Sequence, residues 1–247
     1  MKIFTWNVLH RYHEEKYNPQ SDVLSKYPNE NHRIVKQIDT LKNIFDKENE
    51  IIGCLQEVSG DLLNAIKKEF TIDFIIFEFE HNRIPTRQNK SSIKSDPYIK
   101  PNEFLVTIIS KNLDYKKFSN IQLEVKGKGI LVVETSNIII LNVHLPPKRL
   151  LKNSVDQIFR NLLYVKNKFI VVLGDFNRNY YDLHEELLNI HIKENQFNQV
   201  KTNNKFTISK NQTSIDHIIG LNNLSFKDSE VLNVDSSDHN LLISESK

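Results

Sequence analysis

Short apolar runs rich in Ile, Val and Phe alternate along the chain with amphipathic segments. Runs of this length and composition predict β-strands. They cover residues 2–8, 50–56, 72–80, 103–110, 121–125, 129–135, 137–144 and 168–174. Weaker strand candidates follow in KFTIS, SIDHIIG, SEVLNV and NLLIS. The pattern therefore predicts strands along almost the whole chain.

Helical spacing of apolar residues predicts helices between some of these strands. Ile34, Ile38 and Leu41 fall on one helical face, as do Leu151, Val155 and Ile158. Ser59 is placed to cap a helix over 60–69, and a further helix is expected around 181–190. KGKG at 126–129 and SN at 136–137 predict tight turns, so the strands between 121 and 144 should form an antiparallel meander.

Several strands are continuous apolar runs, which is typical of strands buried on both faces. Helices join some strands and hairpins join others, so the sequence predicts an α/β (α+β) sandwich of mixed sheets covered by helices. We expect 1–247 to form one domain, because no repeat or low-complexity linker divides the 247 residues. Two long polar loops, 10–31 and 81–102, interrupt the pattern.

Composition is that of a globular chain, with 39% hydrophobic and 26% charged residues. The net charge of +2 means that any basic, nucleic-acid-binding surface has to be local. The lone Cys54, the absence of a signal-like start and the absence of an apolar run of about 20 residues favour a soluble, intracellular protein. No membrane partner or obligate protein partner is indicated.

Polar residues recur where strands end. They are Asn7, Glu57, His144, Asp175, Asn177, Asp216, Asp238 and His239. Singly, each is an ordinary turn or strand-end residue. Together they offer carboxylate and amide oxygens with few imidazoles, which favours Mg²⁺ or Mn²⁺ over zinc. His10, His13 and His32 lack ligand-like spacing, and a zinc site there is disfavoured.

The order of these residues resembles one family. TWN at 5–7, LQEV at 55–58, NVHLPP at 142–147, GDFN at 174–177, SIDHI at 214–218 and SDHN at 237–240 resemble the metal-dependent endonuclease/exonuclease/phosphatase superfamily, the deoxyribonuclease-I-like phosphodiesterases. The resemblance implies a four-layer sandwich of two mixed sheets with helices outside. It also implies a Mg²⁺-dependent phosphodiester hydrolase, most simply a nuclease acting on DNA or RNA.

The resemblance assigns roles to the strand-end residues. Glu57 is similar to the principal metal carboxylate, with Asn7 and Asp238 holding the metal or its waters. Asp175 and Asn177 resemble the pair that orients and deprotonates water and grips the phosphate.

His239, with Asp216 as its carboxylate partner, resembles the phosphate-contacting histidine. His144 resembles a second histidine that stabilises developing charge. Whether Asp175 or His239 is the general base stays open. Glu78 and Glu80 are alternative carboxylate partners for His144, but solvated surface glutamates are the favoured interpretation of both. His217 departs from the family pattern, and a packed histidine is the favoured interpretation.

Substrate choice is expected to depend on loop residues. The basic segment around Arg83, Arg87, Lys90, Lys94, Tyr98 and Lys100, with Lys148 and Arg149 after HLPP, suits a polyanion. Tyrosines in the long loops are placed to stack on unpaired bases, which favours substrates with single-stranded character. For these segments the alternative is that they are ordinary solvated loops. For the function there are two alternatives. One is an enzyme acting on a small phosphorylated molecule or on a protein–nucleic-acid adduct, and the other is a binding protein that has lost turnover.

Overall fold

The structure is a computed structural model, and it describes residues 1–46, 50–81, 100, 102–151, 153–162, 165, 167–190, 197–202, 205–208, 210–227 and 229–247. In chain order the elements are β1 (Lys2–Asn7), α1 (Arg11–Tyr17), α2 (Asp22–Lys26), α3 (Glu30–Phe45), β2 (Ile51–Ser59), α4 (Gly60–Phe70), β3 (Phe74–His81), β4 (Glu103–Ser110), β5 (Tyr115–Gln122), β6 (Gly129–Thr135), β7 (Ile138–His144), α5 (Ser154–Leu162), β8 (Phe169–Asp175), α6 (Tyr180–Asn189), β9 (Phe197–Gln199), β10 (Asp216–Leu221), β11 (Glu230–Leu232) and β12 (Leu241–Glu245).

The strands form two six-stranded sheets, with the orders β11-β12-β1-β2-β4-β3 and β5-β6-β7-β8-β10-β9. β1 and β2 run parallel, as do β7 and β8, while the other neighbouring pairs are antiparallel. Both sheets are therefore mixed, as the sequence predicted.

Three layers of buried apolar residues hold the sheets and helices together. Ile3 and Ile52 of the first sheet share one cluster with Leu131 and Val171 of the second. α3 and α4 pack on the outer face of the first sheet, and α5 and α6 on that of the second. The order helix, sheet, sheet, helix confirms the four-layer sandwich. None of the described helices has both the length and the apolar character that crossing a membrane requires.

A buried polar cluster joins the two sheets at their centre. Asn142 of β7 donates to the carbonyls of Leu55 (3.1 Å) and Val106 (2.9 Å) of the first sheet. Its Oδ1 accepts from Nε2 of Gln56 at 2.9 Å. Because buried amides must be paired, this contact fixes how β2 and β7 are aligned. Glu57 lies one position after Gln56 in β2, and His144 lies two positions after Asn142 in β7. The alignment of the two strands therefore brings Glu57 and His144 together.

Most expected elements are confirmed, with local differences. The meander forms as β5, β6 and β7, but β5 begins at Tyr115, before the apolar run predicted at 121–125. The polar YKKFSNIQ is mostly exposed because β5 is an edge strand. The segment 10–31 was expected to be a loop, and this was wrong, since α1 and α2 form there under the caps of His10 and Ser21. Most of the second predicted loop, 81–102, lies outside the described residues.

Candidate active site

The pairing register aligns polar residues across neighbouring strands of the second sheet. Gly129 of β6 lies opposite His144 of β7, His144 lies beside Asp175 of β8, and Asp175 lies opposite Asp216 of β10. Adjacent strands are about 4.8 Å apart, so these residues form one row along the sheet edge. Strand ends far apart in sequence thus meet at a single edge, as the sequence predicted.

Two residues of the first sheet face this row. Asn7 ends β1, and Glu57 sits in β2 at a register shift between Leu55 and Val58. Glu57 has a φ of 57°, an uncommon conformation for a residue with a Cβ. Its Oε2 accepts a hydrogen bond from the backbone N of His10 at 3.1 Å, and its Oε1 lies 3.6 Å from Nε2 of His144. The irregular backbone therefore accompanies a carboxylate that faces the second sheet.

The side chain of Asp175 joins the two sheets. Its Oδ2 accepts from Nδ2 of Asn7 at 3.1 Å and lies 3.5 Å from Nε2 of His144, while its Oδ1 accepts from the backbone N of Asn177 at 2.8 Å. Burial by itself raises the pKa of Asp175, but the hydrogen bond and charge of His144 and the charges of His239 and Lys128 outweigh it. These neighbouring groups hold the pKa of the Asp175 carboxyl well below its usual range.

The residues on either side of Asp175 explain the GDFN sequence. Gly174 has a φ of 147°, and a Cβ there would lie 1.9 Å from the carbonyl oxygen of Val143, so only glycine fits between β7 and β8. Asn177 has a φ of 50°, and its Nδ2 donates to the carbonyl of Leu145 at 2.8 Å. The turn therefore places Asn177 beside Asp175.

Asp216 and His239 form a buried pair at the far end of the row. Nδ1 of His239 donates to Oδ2 of Asp216 at 2.8 Å. Burial lowers the pKa of His239, but the charges of Asp216, Asp238 and Asp175 and this hydrogen bond raise it well above the ordinary value. These groups therefore favour the charged form of His239. Oδ1 of Asp216 finds no hydrogen-bond partner among the described residues.

The SDHN loop is fixed on the first sheet. Nε1 of Trp6 donates to the carbonyl of His239 at 3.1 Å, and Oγ of Ser237 donates to the carbonyl of Asn7 at 2.7 Å. The buried Arg33 donates from Nη1 to the carbonyls of Val8 and Ser236, both at 2.9 Å. These contacts position His239 from two other stretches of chain, the end of β1 and α3.

The donor set fits a hard divalent cation. Ligand atoms of Asp175 and Asp216 lie within 4.8 Å of each other, Asn7 contacts Asp175, and Oε1 of Glu57 lies 3.6 Å from Nε2 of His144. His239, in its charged form, offers no lone pair to a metal. Desolvation and the carboxylates of Glu57 and Glu14 raise the pKa of Asp238, and the charge of His239 offsets only part of this rise. Clustered carboxylates of this kind repel one another, and a cation bound among them would relieve that repulsion. Oxygen-rich sites of this composition suit Mg²⁺ or Mn²⁺.

Solved structures share this architecture over nearly the whole chain. The catalytic domain of human Nocturnin with bound sulfate superposes with a TM-score of 0.70 at 14% identity, covering 100% of this chain and 93% of that one. An endonuclease/exonuclease/phosphatase from Bacteroides vulgatus gives 0.68 at 16% identity, covering 100% and 98%. TDP2 from D. rerio, complexed with a single-strand DNA product, gives 0.63 at 12% identity, covering 99% and 97%.

The chain has the endonuclease/exonuclease/phosphatase fold. No protein-family model and no curated protein matches its sequence at a significant level. The likeness in fold thus coexists with identities of 12–16% to solved structures. The chemistry of this chain is therefore inferred from its own residues.

Within this fold, His144 has surroundings that the sequence did not reveal. Its Nε2 contacts Nζ of Lys128, and ligand atoms of His81, Glu103 and His144 lie within 4.8 Å of one another. Burial and the charge of Lys128 lower the pKa of His144.

Glu78 and Glu80, the alternative carboxylate partners of His144, lie elsewhere, in agreement with the favoured interpretation of both as surface glutamates. Glu78 pairs with Lys67, and Glu80 accepts from Asn102. Besides Glu57 and Asp175, a third buried carboxylate near His144 is Glu103, which lies opposite His81 in the β3–β4 pairing. Glu103 could be identified only from the β3–β4 register, which the local sequence does not encode.

Three further histidines, His217, His10 and His13, have structural contacts. Nε2 of His217 donates to the carbonyl of Arg178 at 2.7 Å, and burial lowers its pKa, so it is a packed histidine as expected. Nδ1 of His10 accepts from the backbone N of Tyr12 at 3.4 Å and caps α1, while His13 pairs with Glu103 at 2.7 Å. His32 is exposed on α3.

The expected substrate-binding residues are described only in part. Arg83, Arg87, Lys90, Lys94 and Tyr98 lie outside the described residues. Nζ of Lys148 pairs with Oε1 of Glu186 at 2.9 Å, and Arg149 is exposed. Tyr17 is 69% exposed, whereas Tyr12 is buried. The hydroxyl of Tyr27 donates to Oδ1 of Asp235 at 2.6 Å, and burial together with this carboxylate raises the pKa of Tyr27 to about 12.

Proposed function

We propose that the chain is a divalent-metal-dependent phosphodiester hydrolase that cuts DNA or RNA. One observation carries the proposal: Asn7, Glu57, His144, Asp175, Asp216 and His239 come from both sheets and meet at a single edge. We further propose that 1–247 forms one catalytic domain, since β1 and β12 pair near the two ends of the chain.

Glu57, Asn7 and Asp238 would hold the metal, with Mg²⁺ as the first choice and Mn²⁺ as the second. A bound ion of this kind neutralises charge on the non-bridging oxygens of a phosphate and activates water. The amide of Asn7 is oriented for this task, because its Nδ2 donates to Asp175 and its Oδ1 accepts from the backbone N of Leu9 at 3.0 Å. Its orientation is thus fixed before any ligand binds.

The protonation states favour Asp175 over His239 as the general base. The pKa of Asp175 is held low, so its carboxylate is ionised, whereas the raised pKa of His239 favours an imidazole that already carries a proton. In the proposed reaction Asp175 and Asn177 orient the attacking water, and the charged His239 contacts the phosphate. Asp216 fixes the tautomer and the charge of His239.

A nucleic-acid substrate is supported by the basic segment that includes Lys90, Lys94 and Lys100. It is also supported by the fold neighbour TDP2 of D. rerio, whose structure is a complex with a single-strand DNA product. The same neighbour favours the alternative, a protein–nucleic-acid adduct or a smaller phosphate ester. We place nucleic acid with single-stranded character first, because the basic segment suits repeated phosphate contacts.

The test incubates purified protein with end-labelled single- and double-stranded DNA and RNA, with and without Mg²⁺. We expect cleavage that requires the metal and that falls by about 10²–10⁴-fold in Asp175→Asn. Asp182→Asn, an exposed aspartate of α6, is the matched control and should leave the rate unchanged.

Cleavage that survives EDTA, or that Asp175→Asn leaves intact while its melting temperature is unchanged, would contradict the mechanism. Inactivity on every polymer with turnover of a small phosphate ester would favour the alternative substrate.

A further inference from the structure

The turn before β6 holds a lysine in the interior. Lys128 is only 8% exposed. Its backbone N donates to the carbonyl of Val125 at 3.2 Å, and its own carbonyl accepts from the backbone N of Leu123 at 3.1 Å and from Nε2 of Gln122 at 2.9 Å. Lysines are seldom buried unless they are paired, so a lysine pinned in this way calls for a reason.

The glycines on both sides permit this turn. Gly127 has a φ of 71°, which favours glycine. A Cβ at Gly129 would lie 2.8 Å from Cε1 of Phe79 and 2.9 Å from the carbonyl oxygen of Ile121. The sequence KGKG therefore closes the hairpin and at the same time places the second of its lysines against the sheet edge.

The Lys128 side chain reaches the strand-end row. Its Nζ contacts Nε2 of His144, which itself lies 3.5 Å from Oδ2 of Asp175 and 3.6 Å from Oε1 of Glu57. An ammonium only donates hydrogen bonds, so Lys128 brings a positive charge and N–H donors beside His144.

Two cations thus stand at opposite ends of the row. At the β6 end of the row is Gly129, which follows Lys128 in the chain. At the β10 end is Asp216, which pairs with His239. His144 and Asp175 lie between these two ends. In-line displacement at phosphorus needs charge stabilisation on the attacking side and on the leaving side. With Asp175, Asn177 and His239 on the attacking side, the leaving side is at Lys128 and His144.

We propose that Lys128 is a catalytic residue that binds the leaving oxygen of the phosphodiester. This inference rests on the proposed function. Water forms the new bond to phosphorus and gives its proton to Asp175. The bond from phosphorus to the leaving oxygen breaks, and its electron pair stays on that oxygen. Lys128 donates a hydrogen bond to the growing negative charge, and solvent then protonates the released alkoxide.

The test compares a poor and a good leaving group in wild type, Lys128→Met and Lys128→Arg. The substrates are a short oligothymidylate, which releases an alkoxide, and the p-nitrophenyl ester of thymidine 5′-phosphate, which releases a stable phenolate. We expect Lys128→Met to lower kcat by about 10²–10³-fold on the oligonucleotide and by less than about 10-fold on the ester. Lys128→Arg, which keeps the charge, should recover part of the loss.

A second arm measures metal affinity without catalysis. Titrating Mn²⁺ into the protein by calorimetry should give a Kd at least about threefold lower for Lys128→Met, because a positive charge near Glu57 and Asp175 has been removed. Lys126→Met, at the exposed first lysine of the same turn, should match wild type in both arms. The variant would then hydrolyse more slowly while binding metal more tightly, which loss of folding cannot produce.

Equal losses on both substrates, or an unchanged Kd for Mn²⁺, would overturn the role of Lys128. Inactivity of the wild type on both substrates would instead refute the proposed function. The calorimetric comparison would still decide whether the Lys128 charge lies beside the metal site.

Discussion

Nδ1 of His239 donates a hydrogen bond of 2.8 Å to Oδ2 of Asp216, and both side chains are buried. The pair joins two segments that are adjacent neither in sequence nor in one sheet. Burial lowers the pKa of His239, but Asp216, Asp238 and Asp175 together raise it well above its ordinary value. A histidine held in its charged form is suited to bind an anion such as a phosphodiester.

Replacing Asp216 by Asn tests this pair through the pH profile. The substitution removes a charge that raises the pKa of His239, so the histidine loses its proton at a lower pH. If charged His239 is needed, the alkaline limb of kcat against pH moves toward acid, and kcat near pH 8 falls by about 10–100-fold, with a smaller loss near pH 6. Asp39→Asn, exposed on α3, is the control. A uniform loss at every pH would speak against the role of charge.

A second pH effect concerns stability and depends on His81. Burial lowers the pKa of His81 to about 4 from its ordinary 6.5, with further lowering from His144 and Lys128 and an opposing effect of Glu103. The unfolded chain binds this proton more readily, so the contribution of His81 to stability is present above pH 6.5 and is lost as pH falls toward 4.

Urea denaturation at pH 7 and at about pH 4.5 should therefore compare wild type with His81→Gln. We expect the free energy of unfolding of wild type to fall with acid by about 2–3 kcal/mol more than that of the variant. His32→Gln, exposed on α3, should follow wild type. Parallel pH dependences of wild type and His81→Gln would show that His81 is not the buried neutral group described here.

Much of the site could be predicted because its residues follow strong local patterns. Asp175 ends an apolar run after an obligatory glycine, and Asp238 and His239 stand beside each other in SDHN. Sequence order and strand ends were enough to expect these groups at one edge. The fold class followed in the same way from strands buried on both faces and helices with a single apolar face.

The parts that could not be predicted depend on register and on tertiary burial. Glu103 looked like the polar start of a strand, and it reaches His144 only through the pairing of β4 with β3. Lys128 looked like a turn lysine no different from Lys126, and only the depth of the hairpin separates the buried residue from the exposed one. The segment 10–31 is polar in sequence, yet Tyr12 is buried, since α1 packs beside the site.

Salt dependence tests the basic segment that precedes β4. Substituting Lys90, Lys94 and Lys100 by Gln removes three candidate phosphate contacts, so the plot of log binding constant against log salt should become shallower by about 2–3. Fluorescence anisotropy with labelled single-stranded DNA measures the slope. Lys42→Gln with Lys111→Gln, at the opposite end of the first sheet, serves as control. An unchanged slope in the triple variant would remove this segment from the substrate path.

The most direct test of the central claim is whether hydrolysis follows metal occupancy at Glu57. Mn²⁺ affinity by calorimetry and the metal concentration giving half-maximal cleavage of single-stranded DNA are measured on the same preparations of wild type and Glu57→Gln. We expect the two values to agree in wild type and to rise together by about 10–100-fold in the variant. Cleavage that persists in EDTA, or a Glu57→Gln variant whose metal affinity and cleavage both match wild type, would contradict a metal-dependent site at this sheet edge.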